Sequence, residues 1–333
     1  MIGQAKLASG QCISTIGLGS VNIGGSLDDE AAYLLMDHAL ERGITFFDTA
    51  EEYASGRAES RIGDWLRRTG CRSDITLCTK VLGGASDIHA ALEASIDRLG
   101  TDFVDMYLMH EFVPSPPLDE ILAALTEEAQ AGRVRAIGCS NYSAAQLEQA
   151  LQISRDRGYC RYEVVQPEYN LVMAPVSDHS GESMFPVGLS ETEDQLLPLA
   201  ERERIAVTTY SPIGSGFLTG KYAHARPSLP GTRFEHGGPA AEHYLTDRNF
   251  QVLEFVRSRA ESLGIPVVQL AQAWVMTHPS VTSVIIGPRT TEQIDDAVAA
   301  HERGLDPEVR AELSAWVRQN ARPSSNGNGG CDD

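Results

Sequence analysis

The chain has little lysine, little positive charge, and no cysteine pattern that would mark a disulfide framework or a metal site. Lys6, Lys80 and Lys221 are its only lysines, and 27 basic residues stand against 46 acidic ones, a net charge of -19. Such a surface repels nucleic acid and anionic membranes, so neither is expected as the main partner. Any phosphate must then be met by a few local cations and by backbone N–H groups. Codon bias in a GC-rich genome accounts for the missing lysines, and it makes each remaining one worth weighing. Six cysteines stand at 12, 71, 78, 139, 160 and 331 with no C-x-x-C spacing, and no His/Cys cluster resembles a zinc site. No metal is expected. A basic-then-apolar leader is missing, and no apolar run is long enough to span a bilayer. These absences predict a reduced, soluble, cytoplasmic protein. Cys78 and Cys139 lie in apolar runs and read as core.

The composition, 42% hydrophobic and 22% charged, is that of a globular protein. A length of 333 residues suggests two domains unless one barrel spans the chain. Short apolar runs at 15–19, 45–48, 75–80, 105–110, 134–140, 164–167, 205–211 and 283–287 read as parallel strands buried on both faces. Helical stretches lie between them: Ala32, Leu35, Met36, Ala39 and Leu40 share one face, as do Val267, Leu270, Ala271, Trp274 and Val275. Ser26-x-x-Asp29 and Ser143-x-x-Gln146 read as capping boxes. The run ends Asp48, Lys80, His110 and Ser140 are spaced by 32, 30 and 30 residues, and Gln166 follows 26 later. That is the length of a βα unit. Eight units make an α/β fold of the (β/α)8 TIM-barrel type, a single domain over 1–321. A doubly wound sheet is the alternative, but no linker divides the chain. Residues 6–14 read as an N-terminal β-hairpin, 247–262 and 307–319 as extra helices, and 322–333 as a disordered tail. The stretches 173–193 and 222–247 read as long functional loops.

In a barrel the chemistry sits at the C-terminal ends of the strands. The polar residues there are Asp48, Lys80, His110, Ser140, Asn141, Gln166 and Tyr210, with Tyr53 five residues past Asp48. Each alone has an ordinary structural reading: a cap, a solvated charge, a hydrogen bonder. Together they bring an acid, an amine, a phenol and an imidazole to one mouth. Two familiar phosphate motifs fail here. The stretch 216–221 lacks the glycine and hydroxyl of a P-loop, and Gly17-Leu-Gly19-Ser-Val-Asn22 lacks the third glycine of a dinucleotide fingerprint.

The sequence resembles the aldo-keto reductase family. The resemblance is carried by Gly43-Ile-Thr-Phe-Phe-Asp48-Thr-Ala-Glu-Glu-Tyr53 with Glu59, Thr79-Lys80-Val81, and Asp105-Met-Tyr-Leu-Met-His110. Gly138-Cys-Ser140-Asn141-Tyr142, Gln166-Pro-Glu-Tyr-Asn170 and Tyr210-Ser-Pro-Ile-Gly-Ser-Gly-Phe-Leu-Thr-Gly-Lys221 continue it. It implies a tetrad of Asp48, Tyr53, Lys80 and His110 that reduces an aldehyde or ketone with NADPH. Tyr53 would be the general acid. Its ordinary pKa is about 10, and a cation about 4 Å away at an effective dielectric near 20 is worth up to roughly 4 kcal/mol, about three pKa units. Lys80, held by Asp48, would be that cation, and His110 would orient the carbonyl.

The resemblance also implies that Ser140, Asn141 and Gln166 hold the nicotinamide carboxamide and that Tyr210 stacks on the ring. Ser211, Pro212, Gly214, Gly216, Leu218, Gly220 and Lys221 would surround the pyrophosphate. Gly287, Arg289 and Gln293 would lie at a helix N-terminus, with Thr290 and Gln293 as a capping box and Arg289 facing a 2′-phosphate. Many relatives have a basic residue in place of Gln293 and an adenine-binding Asn in place of Ala297, so NADPH preference is expected to be moderate. Other functions implied by relatives are a potassium-channel β-like regulatory subunit and an enoyl or sugar-nucleotide reductase. His110 stands where steroid-reducing enoyl relatives carry Glu. The irregular stretches 111–117, 173–193 and 222–247 fit a bulky or hydroxylated substrate, such as a sugar or natural-product intermediate.

Overall fold

The computed structural model describes residues 2–82, 88–174, 187–226 and 228–320. Two strands, β1 (Gln4–Lys6) and β2 (Cys12–Ser14), pair antiparallel as the expected hairpin. Eight more are parallel and close into a barrel in chain order: β3 (Ile16–Gly19), β4 (Phe46–Asp48), β5 (Thr76–Val81), β6 (Val104–Met109), β7 (Val134–Ser140), β8 (Val164–Gln166), β9 (Ala206–Thr209) and β10 (Ser283–Ile286). The circle closes where Val284 of β10 pairs with Ile16 of β3. This is a (β/α)8 barrel, as the 30-residue spacing predicts.

The core has two layers. Inside the barrel, Phe46, Cys78, Met106, Leu108, Ala136, Val164 and Ile285 pack together with Leu7 and Ile13 of the hairpin. The hairpin therefore closes the barrel interior with apolar side chains. Gly17 makes room there: a Cβ on it would sit 2.6 Å from the Phe46 ring. The outer layer packs the opposite strand faces, including Cys139, against the helices. Both cysteines are fully buried, as their apolar surroundings predict.

After the short helix Val21–Gly24, the helix Asp29–Glu41 starts two residues later than a Ser26–Asp29 capping box requires. Its cap is Asp28, whose carboxylate accepts the Ala31 N–H at 2.9 Å, while Ser26 Oγ turns to Asn22 Oδ1. A carboxylate at the start of a helix is favoured by charge as well as by the hydrogen bond. The Ser143–Gln146 box forms as predicted at the start of Ala144–Arg157. The extra helices span Asp247–Leu263 and Pro307–Asn320. Within 173–193 the chain turns helical from Leu189, and within 222–247 the short helix Pro239–Tyr244 forms, so neither stretch is loop throughout. The predicted tail lies outside the described residues. Among the described residues, no helix is long and apolar enough to cross a membrane.

Candidate active site

Asp48 ends β4 and Lys80 lies one residue before the end of β5, on neighbouring strands. The register puts both at the same barrel mouth. Lys80 is fully buried; its Nζ lies 2.6 Å from Asp48 Oδ1 and donates to the Thr49 carbonyl at 2.8 Å. Burial works against the ammonium, but Asp48 outweighs it with help from Tyr53, and the lysine is held above its ordinary range. Asp48 Oδ2 accepts Gln166 Nε2 from β8, across the barrel, at 2.9 Å. A buried ion pair with its spare positions hydrogen-bonded is a rigid one.

Tyr53 sits in the turn after β4, partly open to the mouth, with Lys80 Nζ 5.1 Å from its ring centroid. Its phenol is pushed up to about 12 by burial, which outweighs the lowering by Lys80 while Asp48 raises it further. This corrects the expected net direction. Lys80 does lower the phenol, while burial and the carboxylate that holds the lysine work the other way. The phenol thus keeps its proton through the neutral range. His110 follows β6, its N–H bonded to the Val81 carbonyl. Its ring meets Tyr53 edge-on, with centroids 5.6 Å apart. Burial and then Lys80 push His110 down to about 3, so it is a neutral imidazole.

The predicted nicotinamide residues form one chain of hydrogen bonds. Ser140 Oγ donates to the Gln166 carbonyl at 2.8 Å. Asn141 Nδ2 donates to the His110 carbonyl at 2.9 Å, and its Oδ1 accepts the Tyr210 hydroxyl at 2.7 Å. Asn141, in a left-handed conformation at φ 58°, therefore fastens His110 to Tyr210 and has only part of its amide left for a ligand.

The loop after β9 has a run of left-handed residues: Ser211, Gly214, Ser215, Gly216 and Gly220. The N–H groups of Gly214, Gly216 and Leu218 are used inside it, on Ser211 and Ile213 carbonyls. The buried side chains of Pro212 and Leu218 support the loop from within. Lys221 Nζ lies close to Gly216, and burial, then Arg289, lowers the lysine. After β10, Gly287 accepts Asn22 Nδ2 at 2.9 Å, joining the two ends of the closing strand pair. Arg289 is exposed and donates to the Gly231 carbonyl at 3.0 Å. The Thr290–Gln293 capping box does not form: Thr290 makes no side-chain cap bond, and Gln293 Oε1 instead accepts the Arg289 N–H at 2.8 Å. Gln293 thus reaches one residue further back than a capping box would, to the N–H that precedes the N-cap. Ala297 is fully buried, so that position offers no polar group to an adenine.

Three partners escaped the sequence. Thr49 acts through a backbone carbonyl, which leaves no side-chain signature. Glu52 Oε1 lies 3.3 Å from His110 Nδ1. Glu168, inside the quoted Gln166–Asn170 motif, is buried and accepts Tyr244 OH at 2.5 Å and Asn170 Nδ2 at 2.8 Å. Burial, only partly offset by those two bonds, pushes Glu168 up to about 7. The folded state then binds this proton more tightly than the unfolded chain. Stability falls as pH rises from the ordinary carboxylate range through 7 and stays lower above it. Glu168→Gln is therefore expected to gain at most about 3 kcal/mol at pH 8 and little at pH 5. Urea unfolding at the two pH values checks this; an equal change at both would remove the buried charge as its cause.

A closed parallel barrel with an acid, amine, phenol and imidazole at its strand ends is the build of a barrel oxidoreductase. A profile of the aldo/keto reductase family matches residues 15–318, and the chain belongs to that family of oxidoreductases. It is 32% identical over 321 residues to the "Uncharacterized oxidoreductase YrpG" of Bacillus subtilis, covering 90% of this chain and 91% of the relative. It is 32% identical to a "Probable voltage-gated potassium channel subunit beta" of Oryza sativa subsp. japonica, covering 93% and 94%. A protein of the same description from Arabidopsis thaliana is 33% identical, covering 88% of each.

Proposed function

We propose that this protein reduces an aldehyde or ketone to an alcohol with NADPH, with Tyr53 as the proton donor. The observation that carries the reading is the buried Lys80–Asp48 pair beside a phenol that stays protonated and an imidazole that stays neutral. NADPH would supply the hydride. Tyr53 would give its proton to the oxygen as charge develops there, with Lys80 easing the loss. His110, uncharged, would donate to that oxygen and set its direction. Ser140, the remaining positions of Asn141, and Gln166 Oε1 would hold the carboxamide, and Tyr210 would lie under the ring.

Two features of the residues fit a phosphate-bearing cofactor. The left-handed loop gives an open backbone surface with no Cβ at Gly216 or Gly220. Lys221 and Arg289 also lie near each other, and among the described residues neither is ion-paired. Two neighbouring cations without acid partners are unusual in a chain so rich in acids, and a polyanion between them would relieve their repulsion. Charge-assisted hydrogen bonds contribute about 1.5–3 kcal/mol, so Arg289→Ala is expected to weaken NADPH by roughly 10–150-fold and NADH little. Fluorescence titration of both cofactors checks it. Equal losses would mean that Arg289 only fastens the loop at Gly231.

The substrate would be a small carbonyl compound, bulky or hydroxylated, such as a sugar or natural-product intermediate. Loss of nicotinamide absorbance in a screen of aldehydes, ketones and keto sugars tests the reading; no turnover with any of them, at full cofactor occupancy, would sink it. The two channel-subunit relatives favour a second reading, a regulatory subunit that keeps the reductase site. A bound cofactor with no turnover and a stable complex with a channel's cytoplasmic segment would be its mark.

A further inference from the structure

The buried face of His110 meets an acid that the tetrad does not include. His110 Nδ1 is buried and has no hydrogen-bond partner. Glu52 Oε1 stands 3.3 Å from it without hydrogen-bond alignment, on a carboxyl that is partly open to the mouth. A neutral imidazole has one N–H, on Nδ1 or on Nε2, and the partner of one nitrogen decides the state of the other. If Glu52 is ionised, it draws the proton to Nδ1 and leaves a lone pair on Nε2. That lone pair would face a carbonyl oxygen and repel it. If Glu52 is protonated, its O–H donates to Nδ1, and Nε2 carries the N–H that a carbonyl needs.

We propose that Glu52 is a positioning residue whose protonation selects the Nε2–H tautomer of His110 and so makes the site competent for carbonyl reduction. This rests on the reading of His110 as the carbonyl's hydrogen-bond donor. The surroundings favour a carboxyl that holds its proton. Burial raises Glu52 first, then Glu111 from the turn after β6 and Glu51 beside it, while Lys80 of β5 opposes them. Tyr53, on the same turn, is neutral, and Asp48 is already engaged by Lys80. The proton moves only between carboxyl oxygen and solvent, or between the two ring nitrogens through solvent, so no further reactant is needed.

The test compares wild type with Glu52→Gln, an isosteric change at a partly exposed position. The Gln amide can donate to Nδ1 at any pH. In protein labelled with 15N-histidine, wild-type His110 is expected to pass from Nε2–H at pH 5 towards Nδ1–H at pH 8, and Glu52→Gln to hold one tautomer throughout. In turnover, wild-type kcat/KM for reduction is expected to fall about tenfold per pH unit above the Glu52 transition, the slope of a single titration, with the variant flat over that range and cofactor Kd unchanged. An unchanged wild-type tautomer from pH 5 to 8, or the same falling limb in both proteins, would overturn the proposal. The NMR readout needs no substrate. A tautomer shift in a protein that reduces no carbonyl would leave the Glu52–His110 coupling standing and remove the reductase reading instead.

Discussion

Tyr53→Phe is expected to lose turnover by about 10²–10⁴-fold while binding cofactor as the parent does. The change removes one oxygen and leaves the ring, its edge-on contact with His110 and the Lys80 charge behind it in place. What disappears is the phenol hydroxyl next to the buried ammonium. The phenol stands at about 12 in the unliganded protein, so the wild type offers a proton across the whole working range. Reduction should therefore show no falling limb from Tyr53 below about pH 10, whereas alcohol oxidation, which needs the phenolate, should rise with pH. Stopped-flow reduction at saturating cofactor separates the chemical step from binding. Near-parental turnover in the Phe variant would take Tyr53 out of the reaction.

Lys80→Met is expected to be as damaging to turnover and, unlike Tyr53→Phe, to stability as well. It strips the cation from a site where Asp48 and Lys80 are both buried. Breaking a buried pair from one side typically costs about 3–5 kcal/mol, because the surviving charge has lost its partner. Asp48 would keep the Gln166 amide but no cation among the described residues. The double variant Asp48→Asn/Lys80→Met removes both charges, so it should recover much of the stability and none of the turnover. Denaturant midpoints and single-turnover rates on the parent, Asp48→Asn, Lys80→Met and the double variant give that cycle. If the double variant is no more stable than Lys80→Met alone, the loss comes from packing rather than from a stranded carboxylate. If the phenol's kinetic pKa stays put in Lys80→Met alone, Lys80 does not tune Tyr53.

Much of this protein was legible in one dimension because a parallel barrel writes itself periodically. Each strand must be apolar on both faces, each crossover takes about 30 residues, and each strand end points to the same mouth. Asp48, Lys80, His110, Ser140 and Gln166 could therefore be placed at one mouth from spacing alone, and β3 to β10 fall within the predicted runs, with shifts of a residue or two at their ends. The hairpin was legible from its turn, though not that Leu7 and Ile13 would enter the barrel interior.

Tertiary structure decided everything that depends on a balance of forces or on which atom faces which. Residue types promise that Lys80 lowers the Tyr53 phenol, but only the folded site shows burial winning and Asp48 opposing the lysine. The spacing of Thr290 and Gln293 allowed a capping box, yet Gln293 bonds to Arg289, because the helix start is shaped by the turn that precedes it. Glu52 stands next to Tyr53 in the motif quoted from the sequence and was given no role there. Its meeting with His110, 58 positions along the chain, exists only because β4 and β6 both end at the same rim and their following turns converge there. Sequence alone determined the barrel and which polar side chains stand at its mouth, since both follow from local pattern. Protonation states and pairings were left to the fold, since they follow from burial and from neighbours distant in the chain.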